Sequence, residues 1–232
     1  MAAVSRAVRL DLARMTVRQL NHYLHHDLAG QQAVQILNPQ GMHSIAAGLD
    51  LPGAVQVQGH AGYYLAAMNR QANVTVHGNT GLAVAENMMS GLVRVKGNAS
   101  QSAGASAHGG LLVIEGDAAS RCGISLKGGD IVVKGSVGHV CGFMAQLGHL
   151  VVCGDAGAGL GDSLFEAVIY VAGTISGLGA DARIEAMGPA DLATVDRLLE
   201  QAKISADPAT FQRVASARTL YHWHAGQPWA YG

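Results

Sequence analysis

The apolar positions of this chain repeat with a period too long for any single strand or helix. The segments VQVQGHAG (55–62), VTVHGNTG (74–81), VRVKGNAS (93–100), LVIEGDAA (112–119), IVVKGSVG (131–138), LVVCGDAG (150–157) and IYVAGTIS (169–176) each start 19 residues after the last. Each copy carries a glycine in one column, at Gly59, Gly78, Gly97, Gly116, Gly135, Gly154 and Gly173. Random placement would produce that column roughly once in a million trials. Two residues before it stand Val57, Val76, Val95, Ile114, Val133, Val152 and Val171. Two earlier still stand Val55, Val74, Val93, Leu112, Ile131, Leu150 and Ile169. Alternation of β-branched and Leu side chains with other residues predicts one short strand per copy, buried on one face.

The remaining columns separate an outward face from a corner. Gln58, His77, Lys96, Glu115, Lys134, Cys153 and Ala172 precede the glycine and read as mostly outward, with charge alternating along Lys96, Glu115 and Lys134. His60, Asn79, Asn98, Asp117, Ser136, Asp155 and Thr174 follow it, as turn formers that bond nearby backbone. The stretch GNASQSAGASAHGG (97–110) has the composition of a linker, yet it holds register too. Ala66, Ala85, Gly104, Gly123, Gly142, Gly161 and Ala180 form one small-residue column, and Gly53, Ala72, Gly91, Gly110, Gly129, Gly148 and Ala167 form another. Small side chains at fixed positions mark closely stacked turns. The expected fold is an all-β solenoid, a right-handed parallel β-helix of 19-residue coils capped by short helices at both ends. At ~4.8 Å per coil the seven copies make a rod of roughly 34 Å.

Three segments follow. Residues 1–33 supply an N-terminal cap, with an alternating strand at Val8, Leu10 and Leu12 and a helix over VRQLNHYLHHDL behind Thr16 as N-cap. Residues 34–188 form the β-helix, including a degenerate first coil at 34–50 with Ile36 in phase and a displaced last one at 182–188. Residues 189–232 hold a helix on Leu192, Val195, Leu198, Leu199 and Ala202, and a second helix opening at Asp207-Pro208. The tail TLYHWHAGQPWAYG follows, whose Tyr221, Trp223, Trp229 and Tyr231 suit a partner anchor.

Composition narrows the function. With 13% charged residues among 232 and a net charge of −1, nothing favours nucleic acid or an anionic membrane. No window approaches a membrane span and the N-terminus lacks a signal-peptide layout, so the three cysteines point to a reducing cytoplasm. Low charge with high apolarity implies surface buried against other chains. Gly157-Ala-Gly-Leu-Gly161 precedes a strand and lacks the helix N-terminus of a phosphate loop. Ser106 near His108 lacks a hydrolase elbow and reads as turn chemistry. Cys122 and Cys141 share a column, close enough for a disulfide and better read as buried thiols; with outward Cys153 they form no cluster motif. The pairs His22/His26 and His222/His224 each lack a third ligand nearby. Glu86, Asn87 and Asp162 are the few polar groups on the small return leg, candidates for lining an interface or tunnel.

The 19-residue coils, the GNASQSAGASAHGG and GDAGAGLGDSLFEA segments and the Gly157, Gly159, Gly161 spacing resemble the GXGXG β-helix family of glutamate synthase, over about residues 34–188. The stretch GYYLAAMNRQANVTVHGNTGLAVAENMMSG and the SARTLY segment make it most similar to the free-standing small β-helix subunits of N-methylglutamate synthases. That resemblance implies a non-catalytic scaffold or tunnel wall. The chain would hold a glutamine-amidotransferase-like subunit against a synthase-like subunit carrying FMN and an iron–sulfur cluster, with no cofactor of its own. The complex would form N-methylglutamate from methylamine and glutamate, or a related complex would use ammonia or glutamine. The amidotransferases of that family need an N-terminal cysteine nucleophile, and this chain begins Met1-Ala2-Ala3.

Overall fold

A computed structural model describes residues 7–28 and 33–218, and among them no helix is long and apolar enough to cross a membrane. Strands β1 (Val8–Asp11), β2 (Ala33–Leu37), β3 (Ala54–Gln58), β4 (Asn73–Val76), β5 (Leu92–Val95), β6 (Leu111–Ile114), β7 (Lys127–Val133), β8 (Leu147–Val152) and β9 (Val168–Val171) pair in sequence order, all parallel. From β3 onward the register advances by the 19-residue repeat, Val55 on Val74, Val74 on Val93 and so on to Ile169. The chain is a parallel β-helix, as the period required. A second row of single bridges, Ala61 to Thr80 through to Ala156 to Ile175, joins the coils past the glycine corner.

The corner is held by a ladder that runs the length of the rod. The N–H of Asn79 donates to His60 Nδ1 (2.9 Å), and Asn98 N–H donates to Asn79 Oδ1 (2.9 Å). The same step repeats from Asp117 to Asn98 (2.9 Å), Ser136 to Asp117 (2.8 Å), Asp155 to Ser136 Oγ (3.0 Å) and Thr174 to Asp155 (2.7 Å). These turn formers therefore bond the next coil rather than their own. The ladder also explains the glycine column. A Cβ on Gly78 would lie 2.7 Å from the Gly59 carbonyl carbon, and one on Gly97, Gly116, Gly135 or Gly173 would collide with the ladder's carboxyl or amide oxygen. Only Gly59 of the seven has a left-handed φ (130°). Crowding selects the others.

The return legs are ladders of an unusual backbone. Three positions in each coil are left-handed, from Tyr64, Ala66 and Met68 (φ 59°, 49°, 58°) to Gly159, Gly161 and Ser163 (75°, 67°, 55°) five coils on. Their N–H groups reach alternately forward and back, as in Ala83 to Gln101 O (2.9 Å) and Ala85 to Leu65 O (2.9 Å). Non-glycine residues at such φ cost on the order of 1 kcal/mol each. Paired backbone on both sides offsets that cost. Gly159 and Gly161 of the GXGXG spacing fall on two of the three positions. Between the first and second of these positions, Leu65, Val84, Ala103, Cys122, Cys141 and Leu160 point inward and are buried in the core.

The two ends close differently. At the start, Thr16 and Gln19 form a reciprocal capping box for α1 (Val17–His22), which runs into a π-helical turn at Tyr23–Asp27. Leu20 and Leu24 plug the core. Asn21 acts as a substitute peptide group, accepting from Ala46 N (2.9 Å) and donating to Ser44 O (2.8 Å), while His25 Nε2 bonds Ala47 O (2.9 Å). The degenerate coil exists, but its register is two residues off expectation: Ile36 pairs with Val57 and Val34 with Val55. The extra residues lie around Pro39 and before Ala54, outside the strand.

At the other end, residues 182–188 do not make a further coil. Strand β10 (Ala182–Glu185) lies outermost, antiparallel to β11 (Gln212–Ser216), which itself pairs antiparallel with β9. Asp207 caps as expected, accepting from Ala209 N (3.0 Å), but the helix stops after the one 3-10 turn Pro208–Thr210 and the chain extends into β11. Helix α2 (Pro189–Ala202) covers the flank rather than the rim. Its Val195, Leu198, Leu199 and Ala202 pack on Val113, Val132, Val151 and Tyr170, the outward residues of β6 to β9. Asp191 pins its start, accepting from Gly188 N (2.9 Å), Tyr170 Oη (2.8 Å) and Arg213 Nε (3.0 Å). Burial, then the bond to Asp191, raises the Tyr170 phenol well above its ordinary value.

Two stability outcomes test these contacts. Asn98→Ala strands one corner N–H, so it should cost about 1 kcal/mol and lower the melting temperature by about 2–4 °C. A Cβ at Gly142 would meet Ile169 Cδ1 at 2.5 Å, with the next atom, Ile169 Cγ1, at 3.5 Å. Gly142→Ala alone should therefore destabilise by about 1–3 kcal/mol. Combined with Ile169→Val, which removes that methyl, it should cost less than the sum of the two single variants by about 1 kcal/mol. Additive melting shifts would refute the contact.

Candidate interface on the return-leg face

The return legs present outward the side chains between their inward ones. Tyr64 (42% exposed) and Met68 (53% exposed) stand on the second coil, and Tyr63, Met89 and Met144 are likewise exposed. Tyr63 stacks on His43 (centroids 4.4 Å apart), whose Nδ1 accepts from Tyr63 N–H at 2.8 Å. Between the first three coils runs an open groove of about 240 Å³ lined by Ser44, Ala47, Tyr64, Ala67, Met68, Glu86 and Asn87. Two of the residues singled out by sequence thus meet in one concavity. Asn87 is left-handed (φ 53°), the conformation Asn tolerates best among non-glycine residues, and this turns the Glu86–Asn87 pair into the groove.

Asp162 falls in the Glu86 column four coils on, about 19 Å along the rod at the spacing of stacked strands. It accepts from Ser163 Oγ (2.9 Å) and does not share the groove. The face between is built of Ser102, Ala105, Ser106, Ile124, Ser125 and Phe143, with exposed Arg121 as its charged group in the Tyr64 column. Exposed Met and Tyr over small residues make an adaptable apolar docking surface. Sequence reasoning missed Tyr64 and Met68, although the YY pair at 63–64 in a chain with 5% aromatics was an available signal for the first. Tyr221, Trp223, Trp229 and Tyr231, with His222 and His224, lie outside the described residues.

No set of chemical groups converges here. His22 and His26 come close (centroids 4.7 Å apart) on the N-terminal helix, and no group of three or more potential metal ligands occurs among the described residues. Ser106 is left-handed and its N–H donates to Ile124 O (2.9 Å), a turn role. Cys122 and Cys141 stack inside the core as free thiols, while Cys153 lies on the opposite, outer face of the sheet beneath α2. Three thiols on two sides of a sheet do not fit an iron–sulfur cluster.

Over 225 residues the chain is 51% identical to Protein GlxC of Rhizobium meliloti (strain 1021), an alignment covering 96% of this chain and 99% of that protein. No protein-family model matches the chain, and no solved structure matches it.

Burial raises all three thiols, Cys122 furthest, with Cys141 and Cys153 pushed to about 11. At pH 8 such a thiol is only about one part in a thousand thiolate. Iodoacetamide should leave the folded chain almost unlabelled at pH 8. Cys153 labelling should rise roughly tenfold per pH unit towards pH 10, with Cys122 and Cys141 reacting only on unfolding. A thiol alkylated within minutes at pH 8 would contradict this environment; mass spectrometry of the peptides decides it.

Proposed function

The chain belongs to the GlxC family, and from that membership, together with its resemblance to the GXGXG β-helix of glutamate synthase, we propose that it is the organising subunit of a cytoplasmic N-methylglutamate synthase. In this reading it holds a glutamine-amidotransferase-like chain against a synthase-like chain that carries FMN and an iron–sulfur cluster. The partners perform the exchange in which methylamine nitrogen replaces the amino nitrogen of glutamate and ammonia leaves. This chain contributes geometry: a stiff rod of fixed spacing whose return-leg face walls the passage between the two sites.

The observation that carries the reading is the end-to-end match with GlxC. The surface supports it. Its exposed side chains on the open face are mainly Tyr, Met and small residues with Arg121 among them, which suit a large protein interface better than they suit proton transfer or nucleophilic attack. Glu86 and Asn87 in the groove then serve as a polar point that fixes the register of an otherwise apolar contact.

Tagged chain recovered from its native cells should bring with it a yellow-brown chain and an amidotransferase-like chain, and the eluate should make N-methylglutamate from methylamine and glutamate. The same partners with glutamate synthesis from ammonia or glutamine would keep the scaffold and change the substrate. Recovery of the chain alone would overturn the reading. Tyr64→Ala with Met68→Ala should cut partner recovery at least about tenfold, as expected for loss of an apolar hot spot, while leaving the melting temperature within a few degrees. Undiminished recovery would place the contact on another face.

A further inference from the structure

Among the described residues, the rod is sealed at its start and left open at its end. One apolar row crosses the whole sheet on its inner face: Val8, Val34, Val55, Val74, Val93, Leu112, Ile131, Leu150, Ile169, Val214 and Ile184. All are buried from Val34 to Val214, and the row then stops at Ile184, which is 50% exposed. The inner row of the return legs ends the same way. Buried Leu160 is bridged to Leu178, which is 36% exposed. Among the described residues no helix plugs this end as Leu20 and Leu24 of the N-terminal helix plug the other, because α2 is committed to the flank.

The rim here is the free edge of β10. Ala217 N donates to Asp181 O (2.6 Å), one step beyond the Ala182–Ser216 pair. Antiparallel alternation then gives Arg183 and Glu185 their bonds to β11 and turns the N–H and C=O groups of Ala182 and Ile184 outward. Among the described residues nothing pairs with them. An open edge of this kind is a template for another strand.

We propose that the occupant is a second copy of this chain, joined end to end through antiparallel β10–β10 pairing about a two-fold axis at Ile184. The charge pattern of the strand is what selects that partner. Centred on Ile184, the pairing sets Arg183 of each copy opposite Glu185 of the other, twice over, on the outer face. Both side chains already lie along that face, where Arg183 Nε bonds Glu185 Oε1 at 2.7 Å and Arg213 pairs with Glu185. On the inner face the two Ile184 side chains meet and continue the core row across the axis. A shift of one residue in register would bring Arg183 opposite Ile184 and lose both features. The two copies exchange N–H···O bonds at Ile184, the outward-facing pair. The proposal is independent of which reaction the partners catalyse, and it doubles whatever complex the rod organises.

The test is the mass of the full chain in solution by light scattering on a sizing column. The expected result is two chains per particle at tens of micromolar. Ile184→Asp buries two carboxylates against each other, and Ile184→Pro removes only the outward N–H and keeps the bonds to β11. Each should weaken the dimer at least tenfold and leave the melting temperature and circular dichroism close to those of the parent. Single chains at about 100 µM parent, or dimers that survive both substitutions, would overturn the proposal. A chain ending at Arg218 should remain dimeric. If only that shortened chain dimerises, the C-terminal segment covers the end itself and the proposal falls. Because the measurement uses the isolated chain, a negative result leaves the scaffold reading standing, and a different activity in the native complex leaves the dimer standing.

Discussion

The side-chain ladder at the glycine corner is the constraint from which the rest follows. Each of its oxygens, from Asn79 through Asp155, accepts the N–H of the residue 19 positions later. A coil one residue longer would carry its own acceptor past the next donor and break the corner bond at that step, a loss of about 1 kcal/mol. Insertions are therefore excluded between His60 and Thr174, and the extra residues of the first coil lie just before the ladder starts. Fixed length in turn lets every position stack on its own kind, and that produces columns of uniform size.

Inside the rod the columns trade volume. The left-handed position at the middle of the return leg holds Ala66 and Ala85 first and glycine from Gly104 on. The change comes where Leu112 and Ile131 reach over the site, and Ile131 Cδ1 would lie 2.5 Å from a Cβ on Gly104. Larger strand side chains and smaller return-leg residues thus fill one cross-section. The GXGXG spacing is the extreme of that trade. Gly159 and Gly161 are left-handed, and Gly157 would put a Cβ 2.6 Å from the backbone of Gly138.

Much of this was legible in the sequence because a solenoid writes its cross-section once per coil. The strands, the inward columns and the stacked cysteines could be read from the period alone. What was not legible lies where the repeat ends and its physics stops applying. IEAMG at 184–188 has the alternation of another coil, but whether it joins parallel or antiparallel depends on which chain segment occupies the edge of β9, and that segment is β11. Asp207-Pro208 carries true capping chemistry, yet Gln212 to Ser216 gains a strand partner on each side, which outweighs continuation of a helix. The flank position of α2 had a readable signal. The middle residue of the strand changes from Gln56, Thr75 and Arg94 to Val113, Val132, Val151 and Tyr170, so the outer face turns apolar exactly where the helix covers it. Glu86 and Asn87 were found because polar groups are conspicuous on a small-residue leg, whereas Tyr64 and Met68 look like core until the left-handed backbone turns them out.

Each side of the rod is thereby committed to one task, and the commitment is what makes it suitable as a spacer. The corner side locks register, the outer sheet face is closed over its later coils by α2, and the N-terminal rim is closed by Asn21 and the leucines beside it. Among the described residues the return legs are left uncovered, and their backbone bonds are satisfied between coils without the outward Tyr64 and Met68 side chains. A scaffold needs this division. Its partner surface has to be free to change while the distance between contact points stays fixed, and a ladder of main-chain and corner bonds fixes that distance without using any of the exposed Tyr or Met side chains.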